Sequence, residues 1–325
     1  MKHLLSILTF KISPKAFVMV LWVLFFVPLI IIIGLNLWVD PYFIFRKSPF
    51  EPRLMSIDHH QRFAKSLQVI TRQPHTILLG SSRVYRGFDV GNDFYNMGIS
   101  SLTLTEAASY IDHILLFTSV HTIVLGLDFW MCDKITPTLA GWDKNTGTLS
   151  YGIQSFLNAL FNTEKMFEAF KTHFIDKKKI LGNEGWTYEG FFRTGTRSKN
   201  ETQQMLRSYE KGFLKTKINL KMLDILEEII QRCQTKGVKL YIYISPLHPE
   251  IKAIYKQSHN ASYFDPWREK IYQICSNSNI QFYDFSDFLR DSPPLSNGSN
   301  EFWLDHSHFS PKVGTIILQT LGVIG

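Results

Sequence analysis

Chemistry-capable residues fall in short stretches that flank apolar runs: Gly80-Ser81-Ser82 after HTILL, Asn96-Met97-Gly98-Ile99-Ser100, Gly126-Leu127-Asp128, Ser245-Pro246-Leu247-His248 and Asp305-His306-Ser307-His308. A serine hydroxyl is a poor nucleophile at neutral pH and needs an imidazole beside it, whose second nitrogen is held by a carboxylate. Asp305 and His308 can supply both from one turn. An oxyanion formed by acyl transfer also needs preorganised donors, and backbone N–H groups at Ser82 and Gly98 are placed to provide them. Each stretch also has a purely structural reading. Gly80-Ser81-Ser82 fits a strand-to-helix turn capped by serine, and Asp305-x-x-His308 fits a loop leading to Ser310 as N-cap and Pro311 at the first helical position.

Other residues divide in the same way. Arg83 can hold an anionic group or pair with Asp128 or Asp89, and His248 can line a pocket or serve its loop. His306 reads as an exposed neighbour of the base. Asp58, His59 and His60 hint at a metal, but no further ligand has suitable spacing, so a solvated helix face is expected and no metal or cofactor is assigned. Trp130, Trp186 and Trp303 can stack on sugar rings or fill the core. A Gly-x-Ser-x-Gly elbow is excluded, because Val84 stands where its last glycine would be.

Positioning these residues requires alternating elements. HTILLG, FYNMG, HTIVLGLDFW, VKLYIYI and IQFYDFS read as strands, with helical patterns between them in LTLTEAASYIDHILLF, INLKMLDILEEIIQRCQTKG and DPWREKIYQICSN and a closing helix in SPKVGTIILQTLG. Strands apolar on both faces, alternating with helices, predict a three-layer α/β/α domain around a five-stranded parallel sheet. Ligands of such sheets bind beyond the carboxyl ends of the strands, where every stretch above falls. An insertion over about 131–214 leaves the third strand, carries the helical SFLNALFNTEKMFEAFKTHF and can roof that edge, while 182–201 reads as irregular.

The chain has 325 residues, 45% of them hydrophobic, and a net charge of +7. Its lysines are dispersed apart from Lys177, Lys178 and Lys179, and no nucleic-acid motif accompanies them, so no nucleic-acid partner is expected. Three cysteines, Cys132, Cys233 and Cys275, allow at most one disulfide. Residues 16–39 run without a charge, long enough to cross a hydrocarbon core of roughly 30 Å. They end without a small-residue cleavage site, which favours an uncleaved anchor in the lipid bilayer over a signal peptide. Lys2, Lys11 and Lys15 keep residues 1–15 in the cytoplasm by the positive-inside rule. The expected layout is therefore an inner-membrane anchor, a linker over 40–67 and an extracytoplasmic, periplasmic domain over 68–325.

In order, the stretches resemble the blocks of the SGNH (GDSL-like) hydrolase superfamily, in its membrane-anchored branch similar to the teichoic-acid D-alanine transfer protein and the alginate O-acetylation proteins. Gly80-Ser81-Ser82 matches the first block, Asn96, Gly98 and Ser100 the second, and Asp305 and His308 the last. The resemblance implies a flavodoxin-like SGNH fold with Ser82 as nucleophile, His308 as base, Asp305 as its partner and the Gly98 N–H as an oxyanion donor. It implies acyl transfer or ester hydrolysis on an envelope glycan or acyl-carrier substrate, with a polytopic membrane acyltransferase as a candidate partner. A non-catalytic envelope scaffold is the alternative. The third block departs: where the family has an oxyanion-donating asparagine, this chain has Asp128. An ionised carboxylate only accepts, so Asp128 is expected to be held protonated, to orient a group such as Arg83, or to leave the donor role to another group.

Overall fold

Apolar runs rich in β-branched and aromatic residues form the centre of the fold, and the polar segments between them form helices and loops. The computed structural model describes residues 13–45, 54–91, 93–133, 143, 145–174, 185–193, 198–292, 295 and 299–325. In chain order the elements are α1 (Pro14–Val39), α2 (Leu54–Arg72), β1 (Thr76–Gly80), α3 (Ser82–Gly87), β2 (Phe94–Gly98), α4 (Leu104–Phe117) and β3 (Thr122–Leu127). Next come α5 (Leu149–Phe161), α6 (Thr163–Phe174), β4 (Gly185–Trp186), β5 (Phe192–Arg193), α7 (Lys199–Phe213) and α8 (Asp224–Thr235). Then follow β6 (Lys239–Ile244), α9 (Pro249–Gln257), α10 (Ala261–Asn277), β7 (Gln281–Asp284) and α11 (Pro311–Thr320).

Five strands form one sheet in the order β2-β1-β3-β6-β7, and every pairing in it is parallel. Strand residues alternate between its faces. Ile77, Leu79, Ile123, Leu125 and Ile242 join the core shared with α4, α8 and α10, while Leu78, Val124, Tyr241 and Tyr243 join the core shared with α3 and α11. This is the expected three-layer α/β arrangement. The order reverses between β1 and β3, and side chains leaving those two strands face each other across the gap.

Two segments differ from expectation. The stretch read as a linker is built into the body: Tyr42, Phe43 and Ile44 are buried, and α2 buries Gln61, Arg62, Lys65, Ser66, Leu67 and Gln68. The Asp40 carboxylate accepts the N–H of Ile44 at 2.7 Å and of Phe45 at 2.9 Å, and α2 grips the same turn through Gln68 to the Tyr42 carbonyl (2.6 Å) and Arg72 to the Phe43 carbonyl (2.6 Å). The polar residues of α2 find their partners inside the body and not in water: Lys65 and Gln68 bond backbone carbonyls, Arg62 bonds Glu106, and Gln61 accepts the Ser100 N–H. In the insertion, the helical run splits at Asn162, whose Oδ1 accepts the Lys165 N–H at 3.0 Å and starts α6. The stretch read as irregular contains the antiparallel pair β4–β5, and α7 follows it.

α1 is the one helix among the described residues long and apolar enough to cross a membrane. Its last turns pack against α5 and α6, with Asn36 and Val39 buried. Cys132, Cys233 and Cys275 are buried free thiols.

Candidate active site

At Gly80 the first strand stops and the chain turns directly into α3. Ser81 caps that helix, its Oγ accepting the Arg83 N–H at 3.2 Å. The cap leaves Ser82 on the first turn, at the carboxyl edge of the sheet, where a helix has no carbonyl of its own for the leading N–H groups. Ser82 Oγ lies 2.9 Å from His308 Nε2, a contact between residues 226 positions apart. His308 Nδ1 lies 2.8 and 2.9 Å from the two oxygens of Asp305. Asp305 Oδ1 also accepts the N–H groups of Ser307 at 2.8 Å and His308 at 2.9 Å, so the loop clamps its own carboxylate. With Nδ1–H donated to that carboxylate, the Nε2 lone pair faces the serine hydroxyl, which is the tautomer a general base requires.

Charge around the ring is finely opposed. Burial lowers the His308 pKa to about 4; Asp305 pulls it upward, and Arg86 and Arg83 add to the lowering. Arg86, one turn along α3 from Ser82, brings Nη1 to 3.7 Å from Asp305 Oδ2. Its role was not read from the sequence, although its spacing from Ser82 puts both on one face of the helix.

Ser82 opens into a cavity of about 430 Å3 lined by Ser101, Trp130, Met205, Tyr209 and Phe213 among others. The last three come from α7, so the insertion does roof the serine. Tyr209 ties the roof down, its hydroxyl donating to Ser307 Oγ at 2.7 Å. Met205, Tyr209 and Phe213 recur every four residues, an available signal for an inward helix face. Ser101 has a left-handed backbone, φ 52°, which no sequence signal announced.

The donor expected from the second block, the Gly98 N–H, has an acceptor within the block itself. The Gly98 N–H donates to Asn96 Oδ1 at 3.0 Å, and Asn96 Nδ2 donates to the carbonyls of Val84 and Phe88, each at 2.9 Å. Asn96 and Gly98 thus lock β2 onto α3, and a side chain at Gly98 would collide with the Tyr85 backbone nitrogen. The Gly98 N–H, expected to serve an oxyanion, thus meets the side-chain carbonyl of an asparagine two residues back. Beneath them Lys65, fully buried, donates to the carbonyls of Asn96 (2.7 Å), Gly98 (2.7 Å) and Gly190 (3.0 Å), and burial lowers its pKa.

Asp128 bridges the gap between β1 and β3, accepting from Ser81 Oγ and from Arg83 Nη1 at 3.0 Å. The pair is buried, and the Arg83 guanidinium lies over the Trp130 ring, 4.3 Å from its centroid. Of the roles open to it, Asp128 takes the orienting one, and Arg83 pairs with it, not with Asp89.

His248 lies beside the site without lining the serine cavity. Its Nδ1 accepts the Glu250 N–H at 3.3 Å as the cap of α9, and its ring packs on Trp303 and His306. Burial and the neighbouring His306 lower its pKa to about 4. His306 is buried, not exposed, with Nε2 3.3 Å from Glu250 Oε2, because the loop folds inward to deliver His308. His248, Glu250 and His306 offer ligand atoms within 4.8 Å of one another, a grouping able to hold a metal ion, though here they serve a helix cap and a contact between His306 and Glu250. The side chains of Asp58 and His59 lie outside the described residues, and His60 lines a separate cleft with Tyr42 and Asn162. Of the tryptophans proposed for sugar stacking, Trp130 lines the cavity, whereas Trp186 and Trp303 are core.

No protein-family model and no curated protein matches the chain. A solved structure described as "a putative platelet activating factor from Streptococcus pneumonia" is similar over 82% of this chain and 92% of its own, at 13% identity and a TM-score of 0.41.

Proposed function

We propose that this protein is a membrane-anchored serine acyltransferase or esterase of the SGNH type, acting outside the cytoplasm on an ester-linked acyl group of an envelope glycan or an acyl-carrier substrate. The observation that carries this reading is the continuous chain from Ser82 Oγ through His308 to Asp305, with 2.9 Å and 2.8 Å links. Ser82 Oγ forms a bond to the acyl carbon while His308 Nε2 takes its proton. His308 returns that proton to the departing alkoxide as the original ester bond breaks. An acceptor hydroxyl or water, deprotonated by the same ring, then releases the acyl group and restores Ser82. Asp305 is a positioning residue, holding the imidazole tautomer and offsetting the charge that forms on it. The Ser82 N–H, at the first position of α3, is the donor best placed for the oxyanion. Lysines on the short N-terminal side of α1 support an extracytoplasmic domain. A polytopic membrane acyltransferase delivering acyl groups to Ser82 fits the same layout.

A specific observation favours a second reading, that of a non-catalytic envelope scaffold. The Gly98 N–H already has an acceptor, and Asp128, a carboxylate paired with Arg83, stands where the SGNH pattern would use a donating asparagine. A serine-directed fluorophosphonate probe separates the readings on the full-length protein. Covalent labelling at Ser82, lost in Ser82→Ala and His308→Ala, is the expected result. Folded protein that resists the probe would overturn the enzyme reading in favour of the scaffold.

A further inference from the structure

We infer that α5 and α6 form a lipid-contacting surface, with the apolar stripe of α5 seated in the membrane leaflet next to the domain. This rests on the reading of α1 as a membrane anchor and adds a second point of attachment to it. Leu149, Ile153, Leu157 and Phe161 of α5 are 60%, 54%, 49% and 37% exposed, and Phe167 of α6 is 65% exposed. A four-residue spacing advances only about 40° around a helix, so the α5 residues form one ridge. The opposite side of the same helix, Tyr151, Gly152, Ser155 and Ala159, is the side buried against the body. The sequence of α5, LSYGIQSFLNALF, contains no charged residue. A surface helix bathed in water ordinarily carries charge on its outer face.

Position names the occupant. α5 and α6 are the helices that pack on α1, through Asn36 and Val39 near its end and through the buried pair Val39 and Met166. The 26 residues of α1 span about 39 Å, against roughly 30 Å of hydrocarbon. Its final turns therefore stand at the headgroup boundary, and helices packed on those turns stand there too. The joint between α1 and the body is rigid, because Asp40, Gln68 and Arg72 fix the turn at 40–45. α1 exposes apolar side chains along its length and packs directly on α5, so phospholipid that solvates α1 lies beside the ridge. With no charge on α5, the attachment is driven by apolar burial and does not require anionic headgroups.

Single cysteines carrying an environment-sensitive fluorophore test this in full-length protein reconstituted into phosphatidylcholine vesicles, the native thiols being buried. Label at Ile153→Cys or Leu157→Cys should be quenched several-fold by lipids brominated near the headgroup. Label at Phe25→Cys should respond instead to bromines at the bilayer centre, and label at Tyr272→Cys, an exposed position on α10 at the far edge of the sheet, to neither. Quenching at Phe25→Cys with none at Ile153→Cys and Leu157→Cys beyond the Tyr272→Cys level would overturn the inference and leave the anchor standing. No quenching at Phe25→Cys would instead remove the anchor, and the inference with it.

Discussion

At the scale of single residues, Asp128 separates what a motif suggests from what a side chain does. Replacing it with asparagine would restore the residue type expected of an oxyanion donor. The structure argues against any gain, because Asp128 is half of a buried ion pair with Arg83 and also receives the Ser81 hydroxyl that caps α3. Asp128→Asn leaves a guanidinium buried without its counter-charge, a change that costs about 3 kcal/mol. Chemical denaturation should show that loss, and acyl-transfer activity should fall, not rise. A stability unchanged from the parent would mean that Arg83 finds another partner.

At the scale of elements, the placement of Ser82 depends on three that meet there: β1 delivers it, α3 holds it in its first turn and α7 covers it. A side-chain bond from that cover, Tyr209 to Ser307, reaches the loop that also carries Asp305 and His308. Tyr209→Phe keeps the ring in the cavity wall and removes that bond. The expected outcome is a KM raised several-fold with a smaller change in kcat, since the hydrogen bonds among Ser82, His308 and Asp305 remain. A kcat loss equal to the loss in kcat/KM would instead make the tyrosine hydroxyl part of the chemical step.

At the scale of the whole molecule, buried histidines couple folding to pH. His308 and His248 each titrate near 4 in the folded chain against an ordinary 6.5, and His113 is lowered by burial too. His308 faces Ser82, Asp305, Arg86 and Arg83; His248 faces His306, Glu250 and Trp303; His113 faces the Ser66 carbonyl, Phe117 and Tyr151. A depressed pKa means the unfolded chain binds protons that the native state refuses. Stability is therefore full above about pH 6.5, falls as pH drops and levels off below about 4, a decline on the order of a few kcal/mol. Urea unfolding in detergent at pH 7, 6 and 5 measures it, and a flat series would contradict the burial of these rings.

Local pattern in the sequence determined the strands, their parallel arrangement and the helices between them, because periodicity and turn residues act over a few positions. It also singled out Ser82, Asp305 and His308, whose residue types and strand-end positions are visible without coordinates. Tertiary structure alone decided which polar groups are already engaged: Asp128 accepts from Ser81 and Arg83, and the supposed linker becomes a wall of the domain through Lys65 and Gln68. The physical reason is common to all of them. A polar group's availability depends on what distant segments bring against it when water is excluded, and that information is not held in its neighbours along the chain.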